Sequence, residues 1–227
     1  IWSLIKPLFE DEIVVTPDLP GHGKGPRSSN KYDYGFPAMW SYLNGIISDV
    51  NISDTILVLH SMSAGLLPEI ASSTNKPKAI VLVEGNLLET DALWSKQIQA
   101  LKNNEYYNWL KRLKNNASTV LKSQLLGSHT RNKINYWSDG FREVDPFALR
   151  AIASDIAVRT STGEILRALA TLDVPIIFIR GSESGPWDGG IRLLKELDIP
   201  LVIIPVASHY PMIDHPKAVW SAIMNVN

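Results

Sequence analysis

The sequence predicts an α/β protein built on a mostly parallel, doubly wound sheet. Short runs of β-branched and other apolar residues alternate along the chain with stretches of helical spacing. Each run is nearly continuous in apolar residues, which is typical of parallel strands covered by helices on both faces. Alternating strands and helices imply right-handed crossovers between neighbouring parallel strands. The predicted strands are residues 12–18, 54–60, 78–84, 174–180 and 200–206.

Helical segments connect these strands, and one long interval contains no strand-like run. That interval is rich in Leu, Lys, Asn, Trp and Tyr at helical spacing. We therefore expect residues 88–162 to form a helical cap, or lid, inserted into an α/β core made of residues 1–87 and 163–227. The helices predicted within the core are residues 37–50, 64–74, 163–172, 189–197 and 216–225.

The composition restricts the classes of function. The 227 residues carry a formal net charge of −1 and include no cysteine, which excludes disulfides and thiolate chemistry and gives no basic field for nucleic acid. Neither a histidine pair at helical spacing nor a dinucleotide fingerprint is present, so we expect no metal and no cofactor. Apolar runs of strand length are too short to span a membrane, and together with the lack of a signal-peptide pattern they predict a cytoplasmic protein. The sequence leaves the oligomeric state open.

Residues 56–65 read ILVLHSMSAG, an apolar run followed by two serines. A strand that turns sharply into a helix projects one side chain beyond the strand, and the next backbone N–H faces the same point. Acyl-transfer chemistry needs this arrangement. Small residues on both sides favour Ser63 as the nucleophile, whereas the length of the strand favours Ser61. Both serines could instead cap the helix.

A serine hydroxyl needs a base within hydrogen-bond reach and a third group that orients the base. His209 follows the last predicted strand by three residues, at the edge where open α/β sheets place their sites. His60 precedes the two serines, and we expect it to point away from the nucleophile. The remaining histidines have structural or solvated interpretations: His22, His129 and His215.

Three segments together resemble the α/β-hydrolase family. HSM after ILV resembles the G-H-S-M-G-G nucleophile elbow, VVTPDLPGHGKG resembles the strand and D-x-x-G-H-G loop, and VASHYPMIDHP resembles the H-x-x-x-x-x-x-P ending. The similarity spans Trp2 to about Val226, apart from the insertion. It implies that Ser61 is the nucleophile, with Ser63 as the alternative, and that His209 is the base. It also implies that the backbone N–H of Met62 donates to the oxyanion.

The acid departs from the family pattern. Its usual place is a G-x-x-D sequence after the penultimate strand, but residues 181–184 read GSES. A known variant places the acid after the preceding strand, where VLVEGN contains Glu84. A carboxylate that ends an apolar strand is costly to bury without a partner, so Glu84 has a physical reason to meet a histidine. Glu84 is therefore the first candidate, and Glu183 and Asp188 are the alternatives.

The resemblance implies a serine hydrolase that cleaves a carboxylic ester, or a related carbonyl-adjacent bond, of a small molecule through an acyl-enzyme. The alternative is a catalytically impaired ligand-binding or interaction module, because the acid is displaced and the family's first strands and H-G oxyanion loop are absent from the sequence. A lyase or a halide-handling enzyme is a third possibility, but a serine at the elbow argues against dehalogenation. Aromatic residues of the insertion favour an apolar substrate: Trp94, Tyr106, Tyr107, Trp109, Tyr136, Trp137 and Phe141.

Overall fold

The computed structural model describes residues 1–47, 50–127 and 129–226. Its centre is a parallel four-stranded sheet in which each strand pairs with the next along the chain. Parallel neighbours require a crossover connection, so each consecutive pair of strands is joined by helices. Four of the predicted strands are confirmed: β1 (Ile56–His60), β2 (Ala79–Val83), β3 (Ile176–Gly181) and β4 (Leu201–Ile204).

The strand predicted at residues 12–18 is wrong, because this segment is irregular in the structure. Its apolar side chains face solvent: Ile13 is 85% exposed and Val15 is 54% exposed. A strand exists only where a neighbouring strand accepts and donates its backbone hydrogen bonds, and the described residues place no strand beside this segment. The apolar pattern alone does not reveal whether such a neighbour is present.

Helices cover both faces of the sheet. The predicted core helices are confirmed with shifted ends. The predicted helix 64–74 divides into a 3₁₀ helix, Ser61–Leu66, and a short α-helix, and the prediction at positions 48 and 49 lies outside the described residues. In chain order the α-helices are α1 (Phe36–Ile47), α2 (Leu67–Ser72), α3 (Leu93–Ala100), α4 (Asn103–Asn115), α5 (Ala117–Lys122), α6 (Arg131–Glu143), α7 (Pro146–Ser161), α8 (Glu164–Thr171), α9 (Asp188–Glu196), α10 (Pro211–Asp214) and α11 (Pro216–Met224). Further 3₁₀ helices are Trp2–Leu4, Lys6–Leu8, Lys31–Tyr34, Ile52–Asp54 and Glu89–Ala92.

Apolar clusters lie on the two faces of the sheet, and β2 contributes to both. Ile80 and Leu82 face one cluster, while Val81 and Val83 face the other. Every residue of β2 is buried, because helices cover the strand on both sides. Burial of this kind makes β2 a rigid support for the residues that follow it.

The predicted helical interval is also present, because α3 to α7 all lie between β2 and β3. Part of it packs on itself, in a cluster that includes Tyr106 of α4 and Leu149 of α7. Ile152 and Ile156 of the same helix α7 join the apolar cluster on the sheet. None of the helices in the described part of the chain has the length and apolar character of a membrane span.

Candidate active site

The turn from β1 into the 3₁₀ helix places Ser61 at the carboxyl end of the sheet. The residue has a φ of +54°, a left-handed conformation that non-glycine residues rarely adopt. The backbone N–H of Asn86 donates to the Ser61 carbonyl at 3.1 Å and ties this turn to the loop after β2. Met62 follows in the first helical turn, where backbone N–H groups have no partner within a helix. A strained strand-to-helix turn with a free N–H beside a serine is the geometry of a nucleophile elbow.

Glycine is present at position 65 for a reason other than the tight turn around Ser63 that the local sequence suggests. A Cβ atom at Gly65 would lie 2.2 Å from a ring carbon of Phe36, so the helix after Ser61 needs glycine to pack against α1. The small residue two positions after Ser63 therefore reflects packing against a helix that is distant in the sequence. It does not mark Ser63 as the residue at the tip of the turn.

His209 lies in the loop between β4 and α10, and its ring reaches Ser61. The distance from His209 Nε2 to Ser61 Oγ is 3.1 Å, which is within the reach of proton transfer. Within the described residues, no hydrogen bond joins this imidazole to Ser63. The structure thus brings together the predicted base and the first of the two candidate serines.

Glu84 directly follows β2 and points its carboxylate toward the other side of the His209 ring. Its Oε2 lies 3.8 Å from His209 Nδ1 and 3.1 Å from a guanidinium nitrogen of Arg180. Its Oε1 accepts hydrogen bonds from the Gly181 N–H and the Ser184 hydroxyl, both at 2.7 Å. Only 6% of Glu84 is exposed, and these partners satisfy the buried charge. Like Ser61, Glu84 has a positive φ, +52°.

The alternative acids lie elsewhere. Glu183 is exposed and accepts a hydrogen bond from the Ser182 hydroxyl at 3.0 Å. Asp188 is exposed at the first position of α9. Among the described residues, neither carboxylate forms an ion pair with His209. Ser184, which stands where the family pattern has aspartate, instead donates a hydrogen bond from its hydroxyl to Glu84.

His60 has a role that the sequence did not indicate. Its Nε2 lies 2.9 Å from the backbone carbonyl oxygen of His209. Burial, with a further contribution from the charge of nearby His209, lowers the pKa of His60 to about 3. The ring is therefore neutral near pH 7, and because a carbonyl only accepts, Nε2 carries the proton. His60 thus lies behind the candidate base and holds its backbone carbonyl. Its place at the end of an apolar strand indicates burial but does not indicate which group it contacts.

Asn86 is a second residue that the sequence analysis missed. Its Oδ1 lies 3.4 Å from Ser61 Oγ, and its Nδ2 donates to the Asp91 carbonyl at 2.5 Å. The Asp91 carboxylate in turn accepts a hydrogen bond from the Trp187 indole at 2.8 Å. This polar network connects the start of the helical interval to the candidate nucleophile.

Two of the remaining histidines, His22 and His215, each contact a backbone carbonyl. His22 Nδ1 contacts the Pro20 carbonyl at 3.0 Å, and burial lowers the pKa of its ring. His215 is exposed and its Nε2 contacts the Val206 carbonyl at 3.0 Å. In residues 1–47, 50–127 and 129–226, no group of three or more His, Asp or Glu side chains is arranged to hold a metal ion.

Sequence comparison identifies the class of protein to which this site belongs. Residues 1–222 match the profile of the Alpha/beta hydrolase family. The chain therefore belongs to this family, and the predicted fold class is confirmed. A search of curated protein sequences gave no significant match.

Solved structures agree with this assignment. Cfl2 wild-type from Burkholderia cenocepacia is 17% identical, with 99% of this chain and 82% of that chain covered and a TM-score of 0.76. The haloalkane dehalogenase variant DbeA-M1 from Bradyrhizobium elkanii is 19% identical, with coverages of 98% and 84% and a TM-score of 0.71. A thermophilic esterase from Thermogutta terrifontis is 18% identical, with coverages of 98% and 82% and a TM-score of 0.71. At these identities the similarity shows a common fold.

Proposed function

We propose that the chain is a serine hydrolase that cleaves a carboxylic ester, or a related bond next to a carbonyl, of a small apolar molecule. The observation that carries this proposal is the 3.1 Å separation between Ser61 Oγ and His209 Nε2 at the carboxyl end of the sheet. A serine hydroxyl in contact with a base, and a base beside a buried carboxylate, is the constellation that activates serine for attack. The esterase among the similar structures supports the same class of reaction.

In the proposed mechanism His209 takes the proton of the Ser61 hydroxyl as the oxygen attacks the carbonyl carbon. The Met62 N–H donates to the oxyanion that forms, and such a donor contributes about 3–4 kcal/mol. Protonated His209 then gives its proton to the leaving alcohol. Water, deprotonated by His209, attacks the acyl-enzyme, releases the acid and restores Ser61.

Glu84 is the proposed acid of this triad. A carboxylate beside Nδ1 keeps the proton on that nitrogen, leaves Nε2 free to accept the serine proton, and stabilises the imidazolium. The separation of 3.8 Å between Glu84 Oε2 and His209 Nδ1 is longer than a hydrogen bond, and catalytic contacts of this kind often tighten when substrate binds. Glu183 and Asp188 have no comparable approach among the described residues.

We assign residues 88–162 as a lid over a core formed by residues 1–87 and 163–227. The lid would begin at the site, since Asp91 holds Asn86 beside Ser61. Trp94 of α3 is 42% exposed and its ring lies 5.4 Å from that of Trp109 in α4. Partly exposed aromatic rings are suited to contact an apolar substrate.

Hydrolysis of p-nitrophenyl esters with short aliphatic and aromatic acyl groups tests the proposal. We expect turnover by the wild-type protein and a loss of kcat/KM by about 10³-fold or more in Ser61→Ala. Ser63→Ala, the matched control two residues away, should stay within severalfold of wild type. Comparable activity in Ser61→Ala would refute the assigned nucleophile. A folded wild-type protein that hydrolyses none of the esters would favour the ligand-binding alternative.

A further inference from the structure

The guanidinium of Arg180 lies against the proposed acid. Arg180 is the penultimate residue of β3, and its Nη1 donates to Glu84 Oε2 at 3.1 Å. The same oxygen lies 3.8 Å from His209 Nδ1, so the arginine is nearer to the carboxylate than the base is. The side chains of Arg180 and Glu84 are 11% and 4% exposed, which limits the screening of their charges by solvent.

Other contacts hold Arg180 at this position independently of Glu84. Its Nη2 donates to the carbonyls of Ser184 at 3.1 Å and Gly185 at 3.0 Å. The guanidinium carbon also lies 4.8 Å from the centre of the Trp187 ring, a cation–π distance. Because arginine does not lose its proton in proteins, a fixed positive charge stays beside the acid at every assay pH.

The two oxygens of Glu84 have different partners. Oε1 accepts two hydrogen bonds, from the Gly181 N–H and the Ser184 hydroxyl. Oε2 has Arg180 and His209 as its neighbours within the described residues. Any interaction between the carboxylate and the imidazole therefore uses the oxygen that Arg180 already contacts.

We propose, on the basis of the hydrolase function proposed above, that Arg180 is a positioning residue that shares the Glu84 carboxylate with His209. A cation near an imidazole disfavours the protonated ring, and a carboxylate already paired with arginine holds an imidazolium less strongly. Arg180 thereby limits how strongly Glu84 can stabilise the protonated imidazole that forms during the reaction. It fixes the working pH range of the nucleophile without touching the substrate.

The two aromatic side chains that lie against the His209 ring do not change charge in the pH range of the reaction. His60 has its ring centre 4.9 Å from that of His209, and Tyr210 has its ring centre 5.2 Å away. The pKa of His60 is lowered to about 3 and burial raises the pKa of Tyr210 to about 12. Both rings are therefore neutral between about pH 5 and 9, and among the described side chains that contact the imidazole or its carboxylate partner, Glu84 and Arg180 are the charged ones.

The rate at which a fluorophosphonate probe labels Ser61, measured from about pH 5 to 9, tests this inference without knowledge of the substrate. In Arg180→Met we expect the acidic limb of the rate profile to move upward by about one pH unit. The rate below the limb should then fall up to about tenfold, with the alkaline plateau kept within severalfold. Arg180→Lys retains the charge and should leave the limb near its wild-type position. Arg192→Met, which removes an exposed arginine of α9, is the matched control and should not move it.

A limb that stays in place in Arg180→Met, or moves to lower pH, would overturn the proposal. A purely structural role would lower the rate equally at every pH, so the profile separates the two. Thermal unfolding verifies that each variant is folded, and Arg180→Gln, which keeps a donor for the neighbouring carbonyls, replaces the methionine variant if that one is unfolded. A wild-type protein that is not labelled at all would instead refute the proposed function.

Discussion

The carboxyl end of the sheet and the helical interval 88–162 are held in place by different interactions. Ser61 and Glu84 directly follow β1 and β2, so the parallel ladder between those strands fixes the distance between their backbones. The helical interval is linked to the rest of the chain by polar side chains as well as by apolar packing, most clearly where Arg159 of α7 reaches Glu69. We therefore expect that one set of substitutions can abolish the proposed hydrolysis and that a different set can weaken the attachment of residues 88–162 to the rest of the chain.

The link through Arg159 ends close to the proposed nucleophile. Its guanidinium donates to both carboxylate oxygens of Glu69 at 2.7 Å and to the Gly65 carbonyl at 2.7 Å. Gly65 lies four residues after Ser61 in the same helical turn region, and Glu69 lies in α2. The side chains of Arg159 and Glu69 are 10% and 13% exposed. This contact is thus a nearly buried, bidentate ion pair between the proposed lid and α2, which follows the turn at Ser61.

The largest expected effect comes from breaking the chemistry and leaving the attachment intact. Glu84→Gln preserves the shape of the side chain but removes the charge beside His209, and we expect kcat/KM for p-nitrophenyl esters to fall by about 10⁴-fold. Glu183→Gln changes an exposed carboxylate in the adjacent loop and should leave the rate within severalfold. Activity of Glu84→Gln within tenfold of wild type, or an equal loss in Glu183→Gln, would contradict the assignment of the acid.

A smaller effect, on stability, is expected from breaking the attachment. Arg159→Met leaves the buried carboxylate of Glu69 without its partner, which should lower the free energy of unfolding by about 3–5 kcal/mol. Arg142→Met removes a more exposed pair with Asp139, whose side chains are 37% and 51% exposed, and should cost less than about 1 kcal/mol. Urea unfolding measures both. Similar losses of unfolding free energy in the two variants would show that the ion pair with Glu69 stabilises the fold no more than an exposed ion pair does.

The smallest expected effect, when it is measured over one pH unit, concerns the pH dependence of stability at the carboxyl end of the sheet. An unfolded chain protonates His60 below about pH 6.5, whereas the folded chain resists protonation until about pH 3. The stability that comes from neutral His60 is therefore complete above pH 6.5 and is lost as the pH falls toward 3. We expect this residue to contribute a slope of up to about 1.4 kcal/mol per pH unit.

Replacement of His60 separates this contribution from that of the carboxylates. Glutamine at position 60 does not titrate, so the unfolding free energy of His60→Gln should fall less steeply than that of wild type between pH 6.5 and about 4. His215→Gln, at an exposed position, should keep the wild-type slope. If His60→Gln retains that slope as well, His60 is protonated in the folded chain and does not donate as a neutral ring to the His209 carbonyl.

The sequence predicted the parts of the molecule that depend on local pattern. Four strands follow from continuous apolar runs, and the proximity of Ser61, Glu84 and His209 follows because each comes just after a parallel strand at the same sheet edge. The strand expected at residues 12–18 was wrong because strand formation requires a neighbour, which is a nonlocal property. Ile13 and Val15 have the right composition but no strand beside them in the described structure.

Other features depend on residues far apart in the chain and could not be read from local pattern. The small residues on both sides of Ser63 supported it as the nucleophile, but Gly65 is small because the Phe36 ring of α1 lies against it. The partners of Arg180 and His60 come from loops that only the fold brings near: Glu84 is 96 residues from Arg180, and His209 is 149 residues from His60. Neither spacing carries a sequence signal.

The most direct test of the central claim is the site at which a fluorophosphonate probe attaches, located by fragment mass spectrometry of the labelled wild-type protein. If His209 removes the proton of Ser61, the label should be found on the Ser61 oxygen and should disappear in a folded His209→Ala variant. A label on Ser63, or a label on Ser61 that persists at the wild-type rate in His209→Ala, would contradict the account.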